Sequence, residues 1–156
     1  MKISDILTEN VTKIKLNAKD KTDAINKMLE LAVNSGKITD YEKVRECVFE
    51  REKLVSTGVG KGFAIPHGKT DFISDIVASF GILPEPIDFD SIDDEKVKFI
   101  FLLVGKDSML NAHIKLLSRI SRLMNKDDFR AKLIAAKNES EVITLFKEEE
   151  QNYLEI

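Results

Sequence analysis

This chain of 156 residues has one cysteine, two histidines and three prolines. With Cys47 alone, it forms neither an internal disulfide nor a cysteine-rich metal site. Cys47 sits in an apolar helical pattern and reads as a reduced core residue. No stretch approaches the ~20 apolar residues that span a bilayer, and the opening "MKISDILTEN" lacks the apolar run of a signal peptide. A cytoplasmic protein is expected. Charge is nearly balanced, 24 basic against 27 acidic side chains for a net −3, so no electrostatic argument for nucleic acid or an anionic membrane exists. Internal repeats, low-complexity tracts and long linkers are missing too.

What remains is ordinary for an ordered domain: 43% hydrophobic and 33% charged residues, in a length that buries roughly 70% of the unfolded chain's surface. One domain over residues 1–156 is expected. Val11 to Leu16 alternates as a short edge strand. Asp20 caps a helix running to about Asn34, with Ala24, Ile25, Met28, Leu29, Ala32 and Val33 on one face and Gly36 as its stop. A second helix starts near Asp40 and aligns Val44, Cys47, Val48 and Arg51. Phe63 to Ile65 and Ile76 to Leu83 read as strands, and Pro84 to Lys96 as a surface excursion rich in turn formers. "VKFIFLLV", Val97 to Val104, is apolar enough for a central strand covered on both faces.

The rest is helical. Leu110, Ile114, Leu117, Ile120, Ser121 and Met124 recur at helical spacing, with His113 on the same broad face. Asp127 or Asp128 opens a helix carrying Phe129, Leu133 and Ile134. Ser140 caps a last one with Val142, Ile143, Leu145 and Phe146, and the acidic run Glu148 to Glu150 reads as a solvated face. The alternation predicts an α/β domain with helices on both sides of a mixed, mostly parallel sheet.

"STGVGKGFAIPHGKT", Ser56 to Thr70, is the segment with unusual chemistry. Its glycines do not make a Walker loop, because Lys61 is followed by Gly62. Nor do Gly58, Gly60 and Gly62 have the spacing of a dinucleotide fingerprint. Pro66 fixes its own backbone and holds Ile65 extended, so His67 is delivered by a stiff segment; Gly68 beside it leaves room around the imidazole. His67, His113 and Arg51 then form a set suited to phosphoryl chemistry, in which a neutral imidazole accepts the group and a guanidinium holds its oxygens. A zinc site is the weaker alternative, since the histidines have no metal-ligand spacing. No G-x-S-x-G elbow supports Ser56 or Thr57 as a nucleophile, and these hydroxyls instead cap the loop or bond phosphate oxygens.

The chain resembles the fructose/mannitol-type IIA domains of the bacterial phosphoenolpyruvate-dependent phosphotransferase system, including their nitrogen-regulatory branch. The resemblance rests on "RE" at Arg51-Glu52, "STGVGKGFAIPHGK", "PIDFDSID" at Pro86 to Asp93, "FIFLLV" and "HIKLLSRISRLMNKDDFRAKLIAA" from His113. It implies a five-stranded mixed sheet. It also implies that His67 is phosphorylated by the phosphocarrier protein HPr on the nitrogen remote from the backbone, with His113 in support and Arg51 near the phosphoryl group. Ser56, Thr57 and Gly58 are further candidates for stabilising that group, and no cofactor or metal is implied.

The implied partners are HPr and a IIB domain whose cysteine receives the phosphoryl group for uptake of a fructose- or mannitol-like sugar. Contact with the membrane permease is then peripheral, and both partners dock on one apolar patch. Leu54, Phe63 and Ile65 are candidates for its floor, with core packing as the alternative. Two other readings stay open: a regulator whose phosphorylation state selects its protein partners, and a non-enzymatic binding module.

Overall fold

The computed structural model describes residues 1–153. Its centre is a pair of long antiparallel strands, β5 (Val77–Ile87) and β6 (Val97–Gly105). Successive side chains in a strand point to opposite faces, and β6 is apolar in both sets. Phe99, Phe101 and Leu103 face one half of the core, while Ile100, Leu102 and Val104 face the other.

Around this pair stand β1 (Thr12–Lys13), β2 (Gly58–Gly60), β3 (Phe63–Ala64) and β4 (His67–Lys69). The order is β1-β5-β6-β3-β2, with β4 also on β6. β3 and β4 keep one parallel register along β6, from Phe63 opposite Phe99 to Lys69 opposite Gly105. They are one strand interrupted at Ile65–Pro66, where proline has no N–H for the ladder, although its carbonyl still accepts from Leu103 N at 3.0 Å. Counted this way the sheet has the five strands expected. It is mixed: β1–β5, β3–β6 and β4–β6 are parallel, β2–β3 and the long β5–β6 antiparallel.

Helices cover both faces. On one lie α2 (Lys21–Ala32) and α3 (Tyr41–Leu54), each capped by the aspartate before it: Asp20 accepts from Asp23 N at 2.8 Å and Asp40 from Lys43 N at 3.2 Å. The chain leaves α2 through a tight turn that ends at Gly36, φ 72°. On the other face lie α1 (Ile3–Ile6), α4 (Leu110–Met124), α5 (Asp127–Ala135) and α6 (Glu139–Tyr153). The rings of Phe80, Phe101 and Phe129 surround Phe146 at centroid distances of 5.1–5.8 Å.

Several expectations are corrected. β5 runs through Pro84 and Pro86 to Ile87, tolerated because its pairing with β6 shifts register between Ile82 and Ile87. Val33 and Ile134 lie at the surface instead of on their helices' buried faces. The cap of α6 is Asn138, whose Oδ1 accepts from Glu141 N at 2.9 Å, and not Ser140. The acidic run Glu148–Glu150 is solvated only at Glu148: Glu150 is 2% exposed and accepts from Ile3 N and Ser4 N at 2.7 and 2.9 Å, satisfying the N-terminal amides of α1. Glu149 pairs with Lys126 at 2.8 Å.

Candidate active site

Three elements meet at one pocket of about 420 Å³, lined by Cys47 and Arg51 of α3, His67, Gly68 and Lys69 of β4, Asp107, and Leu110, His113, Ile114 and Leu117 of α4. The tertiary fold thus joins three residues from distant parts of the sequence. The rings of His67 and His113 lie 6.0 Å apart, tilted by 51°.

His67 is oriented by its own strand. Its Nδ1 lies 2.7 Å from the Ile65 carbonyl. A carbonyl only accepts, so Nδ1 carries the proton and the neutral ring presents its lone pair at Nε2. Burial, reinforced by the Arg51 charge, holds His67 below the usual histidine range, against the opposing pull of the Ile65 carbonyl and Glu52. At neutral pH the ring is therefore uncharged, with its Nε2 lone pair available.

His113 is nearly covered. Among the described residues its Nδ1 has no hydrogen-bond partner, and it packs so tightly on Gly105 that a Cβ there would lie 2.4 Å from it, which leaves Nε2 as the nitrogen that reaches the pocket. Arg51 is steered by the end of its own helix, where its Nη1 donates to the Val55 carbonyl at 2.8 Å and leaves the other donors of the fork free for an anion.

Burial, with added repulsion from His67 and Lys69, pushes the His113 pKa down from 6.5 to about 4. Between those values the unfolded chain takes up a proton that the fold refuses, so stability present above pH 6.5 is lost as pH falls through about 4. The loss from His113 reaches about 3 kcal/mol. Urea midpoints at pH 7 and 4.5 test it: His113→Gln should show a shallower dependence than wild type, and identical slopes would refute the assignment.

The other candidates are placed differently. Thr57 is 3% exposed, and both its N–H and its hydroxyl are bonded to Glu52. Ser56 donates to the Phe89 carbonyl at 2.6 Å and accepts from Gly58 N at 3.1 Å. None of the three lines the pocket. The glycines build a hairpin between β2 and β3, with Gly60, Lys61 and Gly62 at positive φ. Gly68 gives room to Cys47, not to the imidazole: a Cβ there would lie 2.7 Å from Sγ. Cys47 is half-buried at the pocket wall rather than in the core, donating to the Lys69 carbonyl at 3.0 Å.

Phe63 and Ile65 are core residues, and only Leu54 of the three floor candidates is exposed. The apolar rim is instead Leu110 and Ile114, 42% and 55% exposed, with Leu117. The helical spacing groups these positions with Ile120 and Met124 on one broad face, whereas the fully buried apolar residues of α4 are Leu116, Ile120, Leu123 and Met124, with Leu117 partly buried against them. Lys69 and Asp107 also escaped the sequence reading. An apolar stripe too wide for one buried face was the available signal for the rim; Asp107 gave none.

Among the described residues no group of three histidine, cysteine or acidic side chains is placed to hold a metal ion, and no helix is long and apolar enough to cross a membrane.

Known proteins resemble this chain in sequence and in fold. The chain is 30% identical over 151 residues to the fructose-specific EIIABC component of Bacillus subtilis, which covers 97% of this chain but only 24% of that much longer protein. It is 36% identical over 140 residues to a nitrogen regulatory protein of Bradyrhizobium diazoefficiens, covering 88% and 90% of the two. The crystal structure of the nitrogen regulatory protein IIA-Ntr from Neisseria meningitidis superposes with a TM-score of 0.86 at 28% identity, covering 92% of this chain and 98% of that one. Residues 5–149 match the family described as phosphoenolpyruvate-dependent sugar phosphotransferase system, EIIA 2. With this match over nearly the whole chain and the likeness in sequence and fold, the chain belongs to the EIIA 2 family of phosphotransferase components.

Proposed function

We propose that this chain is a phosphocarrier whose His67 takes a phosphoryl group from phospho-HPr and passes it to a cysteine of a IIB partner, serving uptake of a fructose- or mannitol-like sugar. The observation that carries the reading is the His67 tautomer: Nδ1–H held by the Ile65 carbonyl, Nε2 open in a pocket shared with Arg51 and His113. Nε2 attacks phosphorus in line as the P–N bond to the donor histidine breaks, so one P–N bond replaces another. The ring gains positive charge, which the Ile65 carbonyl stabilises through Nδ1–H. Arg51, Lys69 and His113 Nε2 face the charge on the equatorial oxygens. Leu110, Ile114 and Leu117 supply an apolar rim for each partner in turn.

Incubation with phosphoenolpyruvate, enzyme I and HPr, followed by intact mass, tests the reading. One acid-labile phosphoryl group is expected, and a folded protein that takes none from its cognate HPr overturns it. Arg51→Ala is expected to lower the transfer rate by about 10²–10³-fold, the usual effect of deleting one preorganised charge. Arg51→Lys restores the charge without the planar fork and recovers only part of the rate. Quench-flow labelling measures both.

A regulatory role is the second reading, favoured by the likeness to nitrogen regulatory proteins. It keeps the same phosphoryl transfer to His67 and replaces the IIB cysteine with protein partners selected by the added charge. Loss of label on adding a cognate IIB supports sugar delivery; retained label with phosphorylation-dependent capture of a different protein supports regulation.

A further inference from the structure

Among the described residues neither His67 nor Arg51 is held by a side chain; each is steered by a main-chain carbonyl, and both carbonyls belong to chain tied to a single buried carboxylate. Glu52 is 7% exposed. Its Oε2 accepts from Thr57 N at 2.7 Å, and its Oε1 accepts from the Thr57 hydroxyl. Lys21 Nζ lies 3.0 Å from Oε2 and holds the carboxylate from the other side.

Two lines leave Thr57. Its carbonyl accepts from Ile65 N at 3.1 Å, and the carbonyl of that same Ile65 takes the His67 Nδ1 proton. Two residues back along the chain, the Val55 carbonyl takes the Arg51 Nη1 proton. The segment between Glu52 and Thr57 is short, so fixing Thr57 limits where Val55 can point. Without the carboxylate, the buried Thr57 N–H and hydroxyl lose their acceptors and the segment must rearrange to satisfy them.

We infer that Glu52 is a positioning residue for phosphoryl transfer, acting through Thr57 to fix both the His67 tautomer and the aim of the Arg51 guanidinium. It touches neither the phosphoryl group nor a partner. It sets the ring nitrogen that is open and the direction of the fork, the kind of supporting contact on which preorganised charge stabilisation depends. The inference rests on the phosphocarrier reading for its effect on rate, whereas the effect on the imidazole stands apart from it.

The experiment uses the full chain. Nitrogen NMR of the imidazole reads the His67 tautomer, and single-turnover labelling at varied phospho-HPr reads the saturating rate and the half-saturating concentration separately. Wild type is expected to show the Nδ1–H form. Glu52→Ala should show a mixture of tautomers and a saturating rate at least about 10-fold lower, with the half-saturating concentration unchanged because the apolar rim is intact. Glu52→Gln, able to accept from Thr57 N–H while donating to its hydroxyl, should keep the tautomer and most of the rate.

A folded Glu52→Ala protein with the wild-type tautomer, or with only the half-saturating concentration altered, overturns the proposal. Should Glu52→Ala fail to fold, Thr57→Val removes the hydroxyl alone and is expected to move tautomer and rate in the same direction by a smaller factor. No change in either then overturns it. A protein whose tautomer depends on Glu52 but which accepts no phosphoryl group would retain the positioning role and refute the carrier reading.

Discussion

His67→Ala is expected to take up no phosphoryl group from phospho-HPr while keeping the wild-type fold. The side chain makes one hydrogen bond, to the Ile65 carbonyl, and lies at a pocket wall instead of in either half of the core, so its removal leaves the sheet in register. The loss is complete because no other group replaces Nε2. Among the described residues His113 Nδ1 has no acceptor to hold a proton there as the Ile65 carbonyl does for His67, so nothing stabilises charge on its ring, and the Cys47 thiol, which burial pushes above its ordinary range, gives little thiolate at neutral pH. Intact mass after incubation with phosphoenolpyruvate, enzyme I and HPr reads the result, with circular dichroism as the check on folding. Label persisting on the variant would move the nucleophile to another residue and sink the assignment of His67.

Phe146→Ala is expected to give the largest loss of stability, about 3–5 kcal/mol, or roughly 10 °C in Tm for a domain of this size. Phe146 is 1% exposed and packs its edge or face on Phe80 of β5, Phe101 of β6 and Phe129 of α5. Deleting its ring opens a cavity where the sheet and two helices meet, and three neighbouring rings lose a partner at once. Phe146→Leu, which fills much of the space, is expected to recover over half of the loss. Urea denaturation at neutral pH measures both, and a change below about 1 kcal/mol for alanine would show that the site collapses without cost.

The two pocket histidines were legible in the sequence for different reasons. His67 was marked by its local chain: Pro66 removes a ladder N–H and stiffens the approach, and the structure shows Ile65, held extended by that proline, turning its carbonyl onto Nδ1. His113 was marked only by its helical spacing among apolar residues. That spacing predicted α4 and one broad apolar side, but periodicity says which residues share a side and not whether anything covers it. Leu110 and Ile114 belong to that side, yet they stay exposed and rim the pocket.

The same limit explains the acidic run. Glu148 to Glu150 reads as solvated until the fold brings the first turn of α1, with its unpaired amides, over Glu150. Glu52 was noticed as half of a family motif, but its role depends on Thr57 returning to it across the end of α3. Residue type alone does not say that the Thr57 N–H and hydroxyl both turn onto this carboxylate.

The sequence by itself determined the elements and their sides. The apolar alternation of β6, the capping aspartates of α2 and α3, and the stiff Ile65-Pro66-His67 segment are local consequences of side-chain size, hydrogen-bonding groups and backbone restriction. The tertiary structure alone decided which apolar stripes stay uncovered, which carboxylates are buried, and that Arg51, His67 and His113 share one pocket. Those outcomes depend on which surfaces remain after strands from distant parts of the chain have paired with β6, and close packing settles that for the whole molecule at once.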